Sequence, residues 1–395
     1  MSIKINKNYQ KLQKNYIFTQ INTKIAQYKN SHPNAKLLNL GIGDVTRPLG
    51  KNIIKIMKRA LSEQGNKKTF KGYPPEVGYN FLKDAVKDYY KKRNIDIDSS
   101  TVFISNGAGC DVGNILNLFD KVKVVIQDPT YPAYFDSNFL NGNQIVLLPA
   151  SSDNNYKISP KGLKNESYLI YLCSPNNPTG ATLSHSELSD WVNFANKTKS
   201  IIIFDCAYEA FVEDDSPRSI FEIEGAKTCA IEIASLSKTA GFTNLRCGYT
   251  IVSNELIIDG CSLNQMWHRR QCTYFNGVPY FVQKGAQYAL SDEGQIECKK
   301  NIQYYKRNAK ILKNCLKRLN YQVVESNNSP YVWIKCPEGM SSWEYFDYLI
   351  NNYQIVGVPG IGFGKTGEGY FRFSAFGNRG DIIEVCNKLK SAHNL

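Results

Sequence analysis

Four short apolar runs punctuate the middle of the chain: Val122 to Ile126, Tyr168 to Leu172, Ile201 to Phe204 and Ala230 to Ile233. Each is short, rich in β-branched or aromatic residues and nearly free of polar positions, the pattern of strands buried on both faces. The stretches between them are long enough for crossover helices, Ser186 to Lys197 among them. This alternation predicts an α/β fold on a mostly parallel sheet. Ligands of such sheets bind beyond the carboxyl ends of the strands. Asn177, Asp205 and Ser235 each follow an apolar run, so they are expected to meet at one edge.

The C-terminal part reads differently. Lys299 to Leu319 has the periodicity of a basic amphipathic helix. Tyr331 to Lys335 and Tyr370 to Ser374 alternate like strands, and Asp381 to Ala392 reads as a closing helix. A smaller α+β domain is expected there.

Composition narrows the class without deciding the function. A chain of 395 residues with 42% hydrophobic and 21% charged positions reads as an ordinary soluble protein of two or three domains. We find no apolar run long enough to span a membrane. The opening Met1 to Asn6 lacks the apolar core of a secretory signal, so a cytoplasmic protein is expected. The net charge of +13 comes from scattered lysines with no nucleic-acid motif, so solvated faces are expected rather than a nucleic-acid partner. Eleven cysteines form no CxxC pair, and His32, His185, His268 and His393 show no ligand spacing. Free thiols in a reducing compartment and no metal site are the expectation.

The chemistry gathers in a few motifs. Ser235-Leu236-Ser237-Lys238 is followed by small residues, Ala240 and Gly241, and by Arg246. A lysine amine forms a Schiff base with an aldehyde once burial or a nearby cation lowers its pKa. The two serines and the small-residue loop suit a phosphate cradle, to which Arg246 would add charge-assisted bonds. Gly107-Ala108-Gly109 follows the strand-like Val102 to Ile104, and small residues ahead of a helix expose backbone N–H groups to a phosphate; a simple turn is the alternative. Asp205 closes an apolar strand, where a carboxylate is costly unless paired; capping the next helix is the alternative. Asn177 sits in Pro175-Asn176-Asn177-Pro178-Thr179-Gly180, a turn whose proline and glycine need no inward amide. Arg372 lies in the strand-like Tyr370 to Ser374, and its fork suits a carboxylate, with a surface salt bridge as the alternative.

In this order these pieces resemble the fold-type I aminotransferases that use pyridoxal phosphate. The resemblance implies a seven-stranded, mostly parallel sheet and a small domain built from both termini. It places an N-terminal arm at 1–46, a cofactor-binding domain at 47–285 and a small domain at 286–395. It implies that Lys238, Asp205 and Tyr208 are catalytic: Asp205 would pair with the ring nitrogen and Tyr208 with the ring oxygen. It implies cofactor contacts from Ala108, Gly109, Asn177, Ser235, Ser237 and Arg246, with Tyr131 stacked on the ring and Tyr73 reaching in from a second subunit.

The likeness narrows to the LL-diaminopimelate aminotransferases and runs nearly end to end. Asn39 to Leu49, Phe70 to Tyr79, Lys238 to Tyr249, Arg269-Arg270-Gln271 with Phe275-Asn276-Gly277, and Gly367 to Gly377 are similar to that family's segments. It implies substrate contacts from Tyr16, Gly43, Glu76, Tyr131, Asn177, Asn276 and Arg372, with Glu76 reading the distal ammonium. It implies a homodimer in which Tyr16, Tyr73 and Glu76 act across subunits. The implied reaction is amino exchange between LL-diaminopimelate and 2-oxoglutarate by ping-pong catalysis through Lys238. Two positions depart from the pattern: Gly109 stands where the family has a substrate-contacting lysine, and Thr239 where it has phenylalanine. Gly109 leaves open an aminotransferase for another amino acid, a lyase or, more remotely, a cofactor-binding regulator.

Overall fold

The computed structural model describes residues 3–12 and 16–392; His393 lies outside them. Seven strands form the main sheet: β1 (Val102–Ser105), β2 (Lys123–Asp128), β3 (Gln144–Pro149), β4 (Leu169–Cys173), β5 (Ile201–Asp205), β6 (Ala230–Ser235) and β7 (Gly248–Val252). Their order across the sheet is β1-β7-β6-β5-β4-β2-β3. β7 runs antiparallel to both neighbours, and the pairs from β6 to β3 are parallel.

Alternate residues of the central strands enter different cores, as the period of two requires. Ile170, Leu172, Ile202 and Phe204 join one cluster; Leu169, Tyr171, Ile201 and Ile203 join the other. Because both faces are covered, no polar alternation survives in these strands, which made them readable as apolar runs. β3 lies at the sheet edge and is partly exposed along its length. The helix His185–Thr198 starts on a capping box, in which Ser184 Oγ accepts from Glu187 N and Glu187 Oε2 accepts from Ser184 N at 2.7 Å.

A second unit is built from both termini. Ile17, Ile21, Leu38 and Leu40 share a core with Leu312, Leu316, Trp333, Phe346, Phe371 and Phe373. Its sheet has the order β8-β10-β9, where β8 is Tyr331–Lys335, β9 is Val358–Pro359 and β10 is Tyr370–Ser374. Leu38–Asn39 pairs in parallel with Ile355–Val356, tying the N-terminal segment to the C-terminal unit. The long basic helix begins at Asp292 rather than Lys299. Ser291 Oγ caps it by accepting from Gly294 N at 3.2 Å. Asp292 and Glu293 in its first turn and Lys317 and Arg318 in its last complement the helix dipole.

Candidate active site

The carboxyl ends of β4, β5 and β6 converge, and each delivers one of the expected residues. β6 ends at Ser235, whose Oγ accepts from Ser237 N at 3.1 Å and starts the short helix Leu236–Thr239. That turn presents Lys238, whose Nζ donates to the carbonyl of Gly43 and lies 5.4 Å from the centroid of the Phe376 ring. Burial pushes the Lys238 pKa down to about 8, Asp44 opposes the shift, and the cations Arg372 and Arg246 add to it. Thr239 is buried, and its hydroxyl donates to Ser235 O at 3.4 Å.

β5 ends at Asp205, buried at the sheet edge. Tyr134 Oη donates to its Oδ2 at 2.7 Å and Ala207 N to its Oδ1 at 2.9 Å. Burial nevertheless raises the Asp205 pKa, and these two bonds only partly offset it. Among the described residues no cation is hydrogen-bonded to Asp205, and a buried carboxylate so placed is set up to receive one.

The turn after β4 carries Asn177, whose Oδ1 accepts from Arg372 Nη1 at 2.7 Å. Arg372 projects from β10, is 1% exposed and also donates through Nη2 to Gly41 O at 2.9 Å. Its guanidinium carbon lies 4.2 Å from the Tyr331 ring centroid, 4.8 Å from that of Phe363 and 5.9 Å from that of Phe18. Its Nε has no hydrogen-bond partner, and no ion pair is formed with it among the described residues. Burial lowers its pKa, with the hydroxyls of Tyr331, Tyr208 and Tyr16 opposing. Gly43 is needed beside it, because a Cβ there would stand 2.7 Å from Tyr331 Oη. Tyr208 completes this side, its Oη 2.7 Å from Tyr331 Oη.

The loop after β1 faces Arg246. Gly107 has φ 98°, and a Cβ there would come within 2.9 Å of Arg246 Nη2. Arg246 itself is held at φ 52°, a left-handed conformation costing about 1 kcal/mol or more for a non-glycine residue. The helix Ala108–Asn114 begins at this point with no side-chain cap on its N–H groups. Gly109 is exposed, and a Cβ added to it meets nothing within 4 Å.

The structure therefore brings together Lys238, Asp205, Tyr208, Asn177, Gly43, Tyr131, Tyr16 and Arg372. Tyr131 packs edge-on against Tyr134 at 5.6 Å and lies near enough to Tyr16 for each phenol to influence the other's pKa. This corrects the expectation that Tyr16 acts on a second subunit: it sits over the site of its own chain. The reason is local, since the helix Ile17–Ser31 buries Ile17, Ile21 and Tyr28 in the small-unit core and carries Tyr16 at its start. Tyr73, 86% exposed, and the exposed Glu76 and Asn276 remain outside this cluster. They lie on adjoining segments, for a Cβ on Gly277 would come within 2.7 Å of Pro75 O. Sequence reasoning missed Tyr134, Tyr331, Phe363 and Gly41. The one available signal was an aromatic residue a helical turn after Tyr131 and another at the head of β8.

Residues 35–389 match the model of aminotransferase class I and II. An LL-diaminopimelate aminotransferase of Agathobacter rectalis is 45% identical, covering 98% of this chain and 99% of the relative. One from Methanosphaera stadtmanae is 42% identical over 98% of this chain and 99% of its own length. The chain belongs to the LL-diaminopimelate aminotransferase family of class I and II aminotransferases. The solved L,L-diaminopimelate aminotransferase of Chlamydomonas reinhardtii superimposes with a TM-score of 0.93 at 36% identity, covering 99% of both chains. The family's cofactor is pyridoxal 5′-phosphate. The site fits that group: it offers a buried amine of lowered pKa, a buried carboxylate lacking a cation, and an uncapped helix start facing Arg246. Gly109 is the position at which the resemblance implied a lysine. Gly109→Lys is expected to change stability by no more than about 0.5 kcal/mol, since the added side chain meets open space. It should lower KM for diaminopimelate about 2- to 5-fold, the range of an exposed ion pair; melting curves and steady-state kinetics check both.

Proposed function

We propose that this chain exchanges the amino group of LL-diaminopimelate with 2-oxoglutarate, giving tetrahydrodipicolinate after cyclisation. The observation that carries the proposal is Arg372, a buried guanidinium with an orphaned Nε and no carboxylate partner among the described residues, in the same site as Lys238. Such a group is costly unless an anion arrives, and the α-carboxylate of an amino acid is an anion with matching fork geometry. Agreement among the family relatives supplies the substrate.

Bound pyridoxal phosphate supplies an aldehyde to a lysine amine and a ring that accepts electron density from the substrate Cα. Lys238 would hold the cofactor through Nζ and, once displaced by the substrate amine, carry the proton to and from Cα. Asp205 would keep a proton on the ring nitrogen, with Tyr134 and Ala207 fixing both of its oxygens. Asn177 and Tyr208 would face the ring oxygen, and Tyr131 the ring plane. Ser235, Ser237, Arg246, Ala108 and Gly109 would surround the phosphate, and Arg372 would orient the α-carboxylate. Tyr73, Glu76 and Asn276 would serve the site of a second copy of the chain in a homodimer. A cytoplasmic setting is proposed for the enzyme, supported by eleven free thiols.

The pKa of Lys238 gives a direct check. Its free-amine fraction rises with pH until the pKa of about 8 is passed. The rate at which apo-protein captures pyridoxal phosphate should therefore climb from pH 7 to 9 and then level off. An unperturbed lysine would still be gaining above pH 10. A second reading, an aminotransferase for a different amino acid, is favoured only by Gly109. Product analysis separates both from a lyase: amino transfer requires 2-oxoglutarate, whereas pyruvate or ammonia released without any keto acid would mark a lyase and sink the proposal.

A further inference from the structure

Behind Tyr208 lies a buried charged cluster that the proposed chemistry leaves unused. Glu209 is the next residue and is 6% exposed. Its carboxylate accepts from Tyr89 Oη at 2.7 Å and from Arg218 Nε at 2.8 Å. It forms ion pairs with Arg218 Nη2 at 2.5 Å and Arg93 Nη1 at 3.5 Å. The Arg93 guanidinium lies over the rings of Tyr89 and Tyr90, 4.5 Å from each centroid, and its three side-chain nitrogens make no hydrogen bond. Arg218 grips the same residue a second time, its Nε lying 3.1 Å from the carbonyl oxygen of Glu209, and its Nη2 donates to Tyr89 Oη at 3.1 Å. Tyr249, Cys206 and Glu232, the last bonded by Tyr90 Oη and by Ser219 Oγ at 2.6 Å, complete the surroundings.

Buried ion networks are weak devices for stability, because desolvation consumes most of the attraction. This one has a geometric effect instead. Glu209 N donates to Cys206 O and Phe211 N to Tyr208 O, both at 2.9 Å, forming a tight turn just past Asp205. Clamping both the side chain and the carbonyl of Glu209 fixes that turn from behind. In front, the turn presents Tyr208, whose hydroxyl meets Tyr331 at 2.7 Å, and Tyr331 in turn stacks on Arg372. We infer that Glu209, clamped by Arg218 and Arg93, is a positioning residue for the Tyr208 hydroxyl at the ring oxygen of bound pyridoxal phosphate.

The inference rests on the proposed role of Tyr208, and the test separates the two. The readout is the pH titration of visible absorbance of cofactor-loaded protein, which reports protonation at Lys238 independently of turnover. Tyr208→Phe should raise the midpoint. Glu209→Gln should raise it by a smaller amount, about half a unit, as expected of a weakened rather than a lost hydrogen bond. The double variant should match Tyr208→Phe alone. Should Glu209→Gln not fold, Arg218→Lys keeps the charge, loses the fork on Glu209, and is read in the same way. An unmoved midpoint in Glu209→Gln or Arg218→Lys, with only the melting temperature lowered, overturns the inference, and so does a double variant that shifts additively. An unmoved midpoint in Tyr208→Phe overturns the role of Tyr208 and the inference with it.

Discussion

Lys238→Ala is expected to abolish amino transfer, lowering the single-turnover rate by roughly 10⁴-fold, the upper end for loss of a general acid–base group. The environment of the residue is the reason. Its amine is taken out of water, faces the Gly43 carbonyl, and has its pKa pushed down to about 8 by burial and by Arg372 and Arg246. No second lysine among the described residues combines those conditions with a place at this site. Lys313 is also buried with a pKa lowered to about 8, but it lies on the long helix in the field of Glu325, Lys317 and Lys306. Added primary amines should restore part of the rate in the alanine variant, as a free base entering the space left by the side chain. Unchanged turnover in Lys238→Ala would remove the residue from the chemistry.

Much of this site was legible before the fold was known. Continuous apolar runs are what a sheet covered on both faces demands, so the strands ending at Cys173, Asp205 and Ser235 showed themselves. Residues at the ends of such strands must share an edge, which is why Asn177, Asp205 and Lys238 assemble from separate motifs. What stayed hidden is tertiary. The partner of Asp205 is Tyr134, from the helix Pro132–Asn141, and that of Tyr208 is Tyr331, from β8. The spacing along the chain marks Tyr134 and Tyr331 as aromatics near the site but does not say which residue each one bonds. β3 was passed over because an edge strand is only partly buried, and the first turns of the long helix because they are polar and capped rather than amphipathic. Tyr16 went to the wrong subunit because its placement depends on how the helix after it packs. Tyr73, Glu76 and Asn276 are exposed in the single chain, and in the proposed homodimer they would serve a second copy.

Replacing Arg372 is expected to have opposite effects on activity and stability. Arg372→Met should lower kcat/KM for the amino-acid substrate by about 30-fold to several thousand-fold, the range for removing one partner of a buried charge pair, 2–5 kcal/mol. The same change should raise the melting temperature in the absence of substrate. The guanidinium is 1% exposed, its Nε is orphaned, and no carboxylate pays for its burial, so an apolar chain of similar length removes a desolvation penalty. The aromatic rings of Tyr331, Phe363 and Phe18 would pack against methionine as readily as against the guanidinium plane. Arg372→Lys should fall between, because an ammonium cannot engage Asn177, the Gly41 carbonyl and a carboxylate with fork geometry. A fall in both activity and melting temperature would mean that the arginine is structural.

LL-diaminopimelate is the expected amino donor even with glycine at position 109. The most direct measurement is a single-turnover spectral assay of protein loaded with pyridoxal phosphate, offered LL-diaminopimelate, meso-diaminopimelate, glutamate, alanine and an aromatic amino acid in parallel. Rapid conversion to the amine form of the cofactor is expected with the LL isomer and with glutamate, and with neither alanine nor the aromatic amino acid. Conversion by glutamate and some other amino acid, with LL-diaminopimelate inert, would contradict that assignment.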